Sequence, residues 1–125
     1  MQLTSLSLSL NLPVIKLIVA VKRNAAMSPA EFHRYWRVDH AAKVKSIAAT
    51  VKYVRRYVQA HTLDSEYAAG DPAFDGTAEL WFDTVADKDA FYSDPEYLAR
   101  VNPDERVFAD MALSRFLVTT EEDVL

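Results

Sequence analysis

The feature that most constrains this chain is the order in which two hydrophobic periods take turns along it. Residues 15–22 (IKLIVAVK) form an apolar, β-branched run of strand length. Residues 28–31 (SPAE) are a helix start: Ser28 as N-cap, Pro29 at the first helical position, Glu31 closing a capping box. The spacing that follows predicts a helix through FHRYWRVDHAAKVKSIA, with a break near residue 40. Residues 53–62 (YVRRYVQAHT) alternate as a strand does, residues 64–76 carry the Asp, Gly and Pro of a loop, and residues 77–83 (TAELWFD) read as a third strand. A second helix begins over residues 87–91, and residues 93–96 (SDPE) cap a further turn. Residues 103–110 are a short helical piece, and residues 113–119 (LSRFLVT) a fourth strand.

Strand, helix, strand, twice over, predicts the ferredoxin-like βαββαβ pattern of the α+β class. Two helices then cover one face of a four-stranded antiparallel sheet. The other face stays open and carries either Val54, Val58, Ala78, Leu80 and Phe82 or the opposite set. Periodicity alone does not choose between them. An open apolar sheet face predicts a partner, and the natural one is a second copy, giving a homodimer.

Composition narrows the chemistry. A chain of 125 residues, half of them hydrophobic, fits one domain with a core of its own. The absence of cysteine excludes disulfides, thiolate metal sites and a cysteine nucleophile, and fits a reducing, cytoplasmic location. A formal net charge of −4 argues against nucleic acid as a partner. The two glycines, Gly70 and Gly76, exclude a phosphate-cradling glycine loop. Residues 1–13 set leucines at 6, 8, 10 and 12 among small polar residues, as in a leader or an extra edge strand. They lack the basic start and continuous apolar run of a signal peptide, and no run reaches the ~20 apolar residues of a membrane span. The expected division is therefore 1–13, a domain over 14–120, and an acidic tail over 121–125.

The segments KRNAAMSPAEFHRYWRVDHAAKV, DPAFDGTAELWFD, AFYSDPEYL and NPDERVFAD, in this order and spacing, resemble the EthD family. The resemblance implies a dimeric α+β barrel with a pocket between helices and sheet. It also implies kinship with a protein of ether degradation and with decarboxylases of aromatic polyketide pathways. Related barrels include polyketide cyclases and cofactor-free oxygenases. Haem, bound by some barrels of this architecture, is disfavoured because no histidine follows residue 61.

On a helix, Phe32, Trp36 and His40 share a face. His33 and His40 are seven residues apart, about 10.5 Å along the axis. One metal ion with Zn–N bonds of about 2.0–2.1 Å cannot take both. No metal site is expected. His40 is the leading acid–base candidate, because imidazole titrates near neutrality and the family resemblance points to the same residue. Its bland alternative is a histidine bonded near a helix end. His33 is expected on the surface. Along the second strand Tyr53, Arg55, Tyr57, Gln59 and His61 share one side, and along the third Thr77, Glu79, Trp81 and Asp83 do. If both sides form one wall, Tyr57 and Trp81 stack on a planar ligand while Tyr57, His61 or Glu79 exchanges protons; otherwise they are a cross-strand ladder. Asp104 reads as a helix-start acid, Phe108 as a pocket filler and Asp110 as a group that orients a histidine.

The expected function is a cofactor-independent decarboxylase, cyclase or dehydratase acting on a hydrophobic aromatic or polyketide-like substrate. His40, His61 and Tyr57 are its catalytic candidates, and Trp36, Trp81, Phe108, Glu79 and Asp110 its substrate-binding ones. A non-catalytic binding protein and a cofactor-free oxygenase are the alternatives.

Overall fold

The computed structural model describes residues 14–125. The reading of residues 1–13 as leader or edge strand lies outside them. Four strands, β1 (Ile15–Val21), β2 (Val54–His61), β3 (Gly76–Phe82) and β4 (Arg115–Thr120), form one antiparallel sheet in the order β2-β3-β1-β4. This is the ferredoxin-like arrangement, with helices on one face, and the chain is of the α+β class.

The first helical run opens as read, with α1 (Pro29–Arg34) behind a complete Ser28/Glu31 capping box. It does not break near residue 40. From Tyr35 to His40 the chain widens into a π-helical segment, in which the Ala41 N–H reaches back to the Trp36 carbonyl. It then resumes as α2 (Ala41–Ser46) and breaks at Ile47, whose extended backbone (φ −88°, ψ 144°) ends the helical winding. A further helix, α3 (Ala48–Tyr53), takes Tyr53 away from the second strand. The expected loop contains a 3-10 turn, Asp64–Ala69. On the far side, α4 (Val85–Ser93) starts earlier than residue 87 because the Thr84 hydroxyl caps the Asp87 N–H at 3.0 Å. A second π segment (Tyr97–Val101) leads into α5 (Asn102–Phe108).

The register settles which side chains meet the helices. Leu17 faces Leu80 and Val19 faces Ala78 across β1/β3, while Tyr57 faces Leu80 and Gln59 faces Ala78 across β2/β3. Residues opposite one another in an antiparallel pair share a face. Ala78, Leu80 and Phe82 therefore turn toward the helices, where Phe32, Trp36, Ile47 and Phe91 close the core. Lys16, Ile18, Arg56, Val58, Glu79 and Trp81 take the open face. That face is far from purely apolar. Lys16 Nζ lies 2.8 Å from Glu79, Trp81 Nε1 donates to Glu121 at 2.7 Å, and the Lys16 and Arg56 cations stand 4.8 and 4.6 Å from the Trp81 ring. No helix among the described residues is long and apolar enough to cross a membrane.

Candidate active site

A cavity of about 60 Å³ lies between the sheet and the two helical runs that cover it. At ~10–15 Å³ for each water-sized position, that is room for about five waters, the bulk of one small ring. Apolar and aromatic side chains wall it, among them Val19, Trp36, Leu80, Phe91 and Phe108. The Phe108 ring lies 4.6 Å from His40, 6.0 Å from Phe32 and 6.4 Å from Trp36. Phe116, half exposed on edge strand β4, stands at the rim.

Among the polar side chains that line this largely apolar space are His40, Tyr57 and Glu105. His40 is buried, and its Nδ1 lies 2.8 Å from Asp104 Oδ2. Asp104 is also buried and accepts from the Tyr35 hydroxyl at 2.5 Å and from Lys43 Nζ at 2.7 Å. The π winding makes this possible. Residues five apart, such as Tyr35 and His40, fall nearly above one another when hydrogen bonds run i to i+5. Burial pushes the Asp104 carboxyl up, but its bonds to Lys43, Tyr35 and His40 outweigh that and hold it below the usual carboxylate range. A carboxylate at Nδ1 fixes the proton there and leaves Nε2 bare. Nε2 has no partner among the described residues, and His40 opens onto the cavity. Burial lowers the His40 pKa from 6.5, with Asp104 offsetting part of the shift, so the imidazole is a neutral base at pH 7.

Glu105, from the first turn of α5, faces the same space. It accepts from the Tyr97 hydroxyl at 2.7 Å, and burial raises its pKa to about 6. Tyr57 accepts from Gln59 Nε2 at 2.9 Å, which leaves its own hydroxyl proton to donate. The site thus pairs a histidine whose pKa is lowered with a carboxyl whose pKa is raised, shifts that bring the neutral base and the neutral acid toward the same pH range.

The other sequence candidates fall elsewhere. Trp81 and Glu79 lie on the open face, with the sheet between them and the cavity. Tyr57 and Trp81 therefore do not form one wall: the strand sides expected to match point in opposite directions, because a bulge between Val54 and Arg56 offsets β2 against β3. His61 turns to the helix face but lines a neighbouring groove, within 2.6 Å of His33. His33 is accordingly half-buried and bonded, not a free surface residue. Asp110 orients no histidine; its carboxylate accepts from the Ala112 and Leu113 N–H groups and shapes a turn. The histidine partner is Asp104, which looked like an ordinary helix-start acid. Glu105 carried no sequence signal beyond its place beside Asp104. Among the described residues, no group of three or more His, Asp and Glu side chains is placed to hold a metal ion.

The EthD domain matches residues 24–112. No curated protein matches the chain. Among solved structures, it is similar to a dimeric protein of unknown function and ferredoxin-like fold from Bacteroides fragilis (TM-score 0.63, 13% identity, covering 86% of this chain and 96% of that one). It is also similar to a hydroxynitrile lyase from Passiflora edulis (TM-score 0.63, 16% identity, 90% and 97% covered). A third is SnoaB, a cofactor-independent oxygenase from Streptomyces nogalater (TM-score 0.61, 13% identity, 90% and 97% covered). At these identities the likeness is one of fold.

Proposed function

The chain belongs to the EthD family, and from that membership and the groups around the cavity we propose that it is a cofactor-independent acid–base enzyme acting on a small hydrophobic, single-ring aromatic substrate. The observation that carries this reading is the buried His40–Asp104 pair, in which His40 lines an aromatic cavity and its Nε2 has no partner among the described residues. His40 takes a proton from the substrate, and Asp104 holds the ring and steadies the imidazolium that forms. Glu105 or Tyr57 returns a proton to the departing or rearranging group. Phe108 and Trp36 exclude water and hold the ring. The size of the cavity favours one ring over a polycyclic polyketide. A lyase step, whether loss of carbon dioxide, loss of water or cleavage of a hydroxynitrile, uses this set of groups without further equipment. The chain shares its fold with a hydroxynitrile lyase, so that substrate class belongs in the trial.

The same reading has two copies pairing through their open sheet faces. The apolar Ile18, Val58 and Leu117 on that face and the dimeric Bacteroides fragilis protein of like fold support it. The test of function is incubation with hydroxybenzoic acids, aromatic hydroxy acids and aromatic hydroxynitriles, with mass detection of products. Turnover of any of them that is lost in His40→Asn supports the reading. Stoichiometric binding in the cavity without turnover across the panel would replace it with the accessory-protein reading.

A further inference from the structure

Outside the cavity, an open groove of about 320 Å³ runs between a helix face and the edge of the sheet. Arg37, Ala41 and Lys45 overhang it, and Tyr57, Gln59 and His61 of β2 form the opposite wall. No acidic side chain lines it. Every other lysine and arginine has an ion pair, a hydrogen bond or a ring contact. Among the described residues, Arg37 and Lys45 alone have none.

Hydrogen-bond polarity gives His61 a charge to add. Gln59 Nε2 lies 2.9 Å from the Trp36 carbonyl, which can only accept, so Gln59 Oε1 is the atom 2.8 Å from His61 Nε2. His61 Nε2 must then carry hydrogen. On the partner ring, His33 Nε2 lies 2.9 Å from the Tyr67 hydroxyl, whose proton goes to Asp75 at 2.7 Å. His33 Nε2 is therefore a donor too. The two Nδ1 atoms face each other at 2.6 Å, and two bare lone pairs at that distance repel unless one proton lies between them. The bonded form of the pair is singly cationic. Burial, then the neighbouring His33 charge, then Arg37 push His61 down to about 4, so a second proton stays out above that pH. Burial lowers His33 as well; Asp75 and Asp64 offset part of this, while Arg37 and Arg23 add to it. The cationic form thus belongs to the acid side of neutrality.

We propose that this groove binds a small organic anion through its carboxylate or phosphate group, clasped by Arg37 and Lys45 with the His61 ring beneath. Tyr57 borders both the groove and the cavity, yet the proposal does not depend on turnover at His40. Two unpaired cations over a concave wall with no acid form a site of the kind that carboxylates and phosphates fill, Arg by its planar fork and Lys as a point charge.

The test is an amide-shift titration of the full chain with benzoate and, separately, inorganic phosphate, at constant ionic strength, at pH 5.5 and pH 8. Saturable shifts centred on Arg37, Lys45, Gln59 and His61, stronger at the lower pH, are expected. Tighter benzoate would identify an aromatic carboxylate, and tighter phosphate a phosphate ester. The Arg37→Gln/Lys45→Gln variant should keep its melting temperature, since neither side chain has a partner to lose, and bind the probe about tenfold more weakly or worse. Arg37→Lys should retain part of the affinity. No saturable binding of either probe, shifts confined to cavity residues, or equal affinity in the double variant would overturn the proposal.

Discussion

The surroundings of His40 are built by neighbours that sequence spacing hides. Asp104, 64 positions away, orients it, and Tyr35 and Lys43 hold Asp104 in turn. Replacing His40 with Asn should lower kcat by roughly 10²–10⁴, the usual worth of a positioned acid or base, on whichever substrate the product screen identifies. The fold should survive, because Asn retains a polar group facing Asp104; melting temperature and kcat read side by side separate the two effects. Glu105 offers an independent pH signature. Its folded pKa of about 6 lies above the ordinary 4.5, so the folded state prefers the neutral acid. The stability this provides is full below about pH 4.5 and is lost as pH rises through about 6. Glu105→Gln should therefore melt higher than the parent at pH 7.5, by on the order of 2 kcal/mol for a shift of this size, with the difference vanishing below pH 4.5. If Glu105 is the acid, the parent's kcat/KM falls as pH rises through about 6, and the variant lacks that limb. A variant that melts alike at both pH values would remove Glu105 from the buried acids.

The strands and the first helix start were legible because their signals are local. The Ser28/Glu31 box, the β-branched run of β1 and the alternation of β2 needed no tertiary partner to be read. The π winding was not legible: Tyr35–His40 has the composition of an ordinary helix, and its wider turn shows only in the backbone bonds. That one departure decides that Tyr35 and His40 reach the same carboxylate. The bulge in β2 was equally invisible, and it separates Tyr57 from Trp81. The His33–His61 contact joins a helix to a strand across 28 positions and depends on that same register. How the first helical run seats on the sheet is itself testable. A Cβ at Gly76 would strike the Ala60 carbonyl and come within 2.8 Å of the Trp36 ring. Gly76→Ala should cost about 1–3 kcal/mol through overpacking. Trp36→Ala, which empties a side chain only 1% exposed, should cost about 3–5 kcal/mol. Both are read by denaturant melts; a neutral Gly76→Ala would mean that the helix slides freely over β3.

At the level of the whole molecule, the open face combines apolar residues with a charged ladder, and pairing two such faces would bury the Lys16–Glu79 contact twice. Light scattering at micromolar concentration should give twice the 14.1 kDa chain mass. Glu79→Lys, which sets two ammonium groups side by side, should shift that mass toward the monomer while far-ultraviolet dichroism stays unchanged. A monomeric parent would remove the dimer from the reading. The sheet also divides the chain's two tryptophans. Trp36 looks into the cavity, and Trp81 lies under Lys16 and Arg56 on the opposite side. The protein thus carries its own pair of fluorophores, one for each event of interest. With Trp81 replaced by Phe, emission follows occupancy of the cavity; with Trp36 replaced by Phe, it follows assembly, without any label being attached.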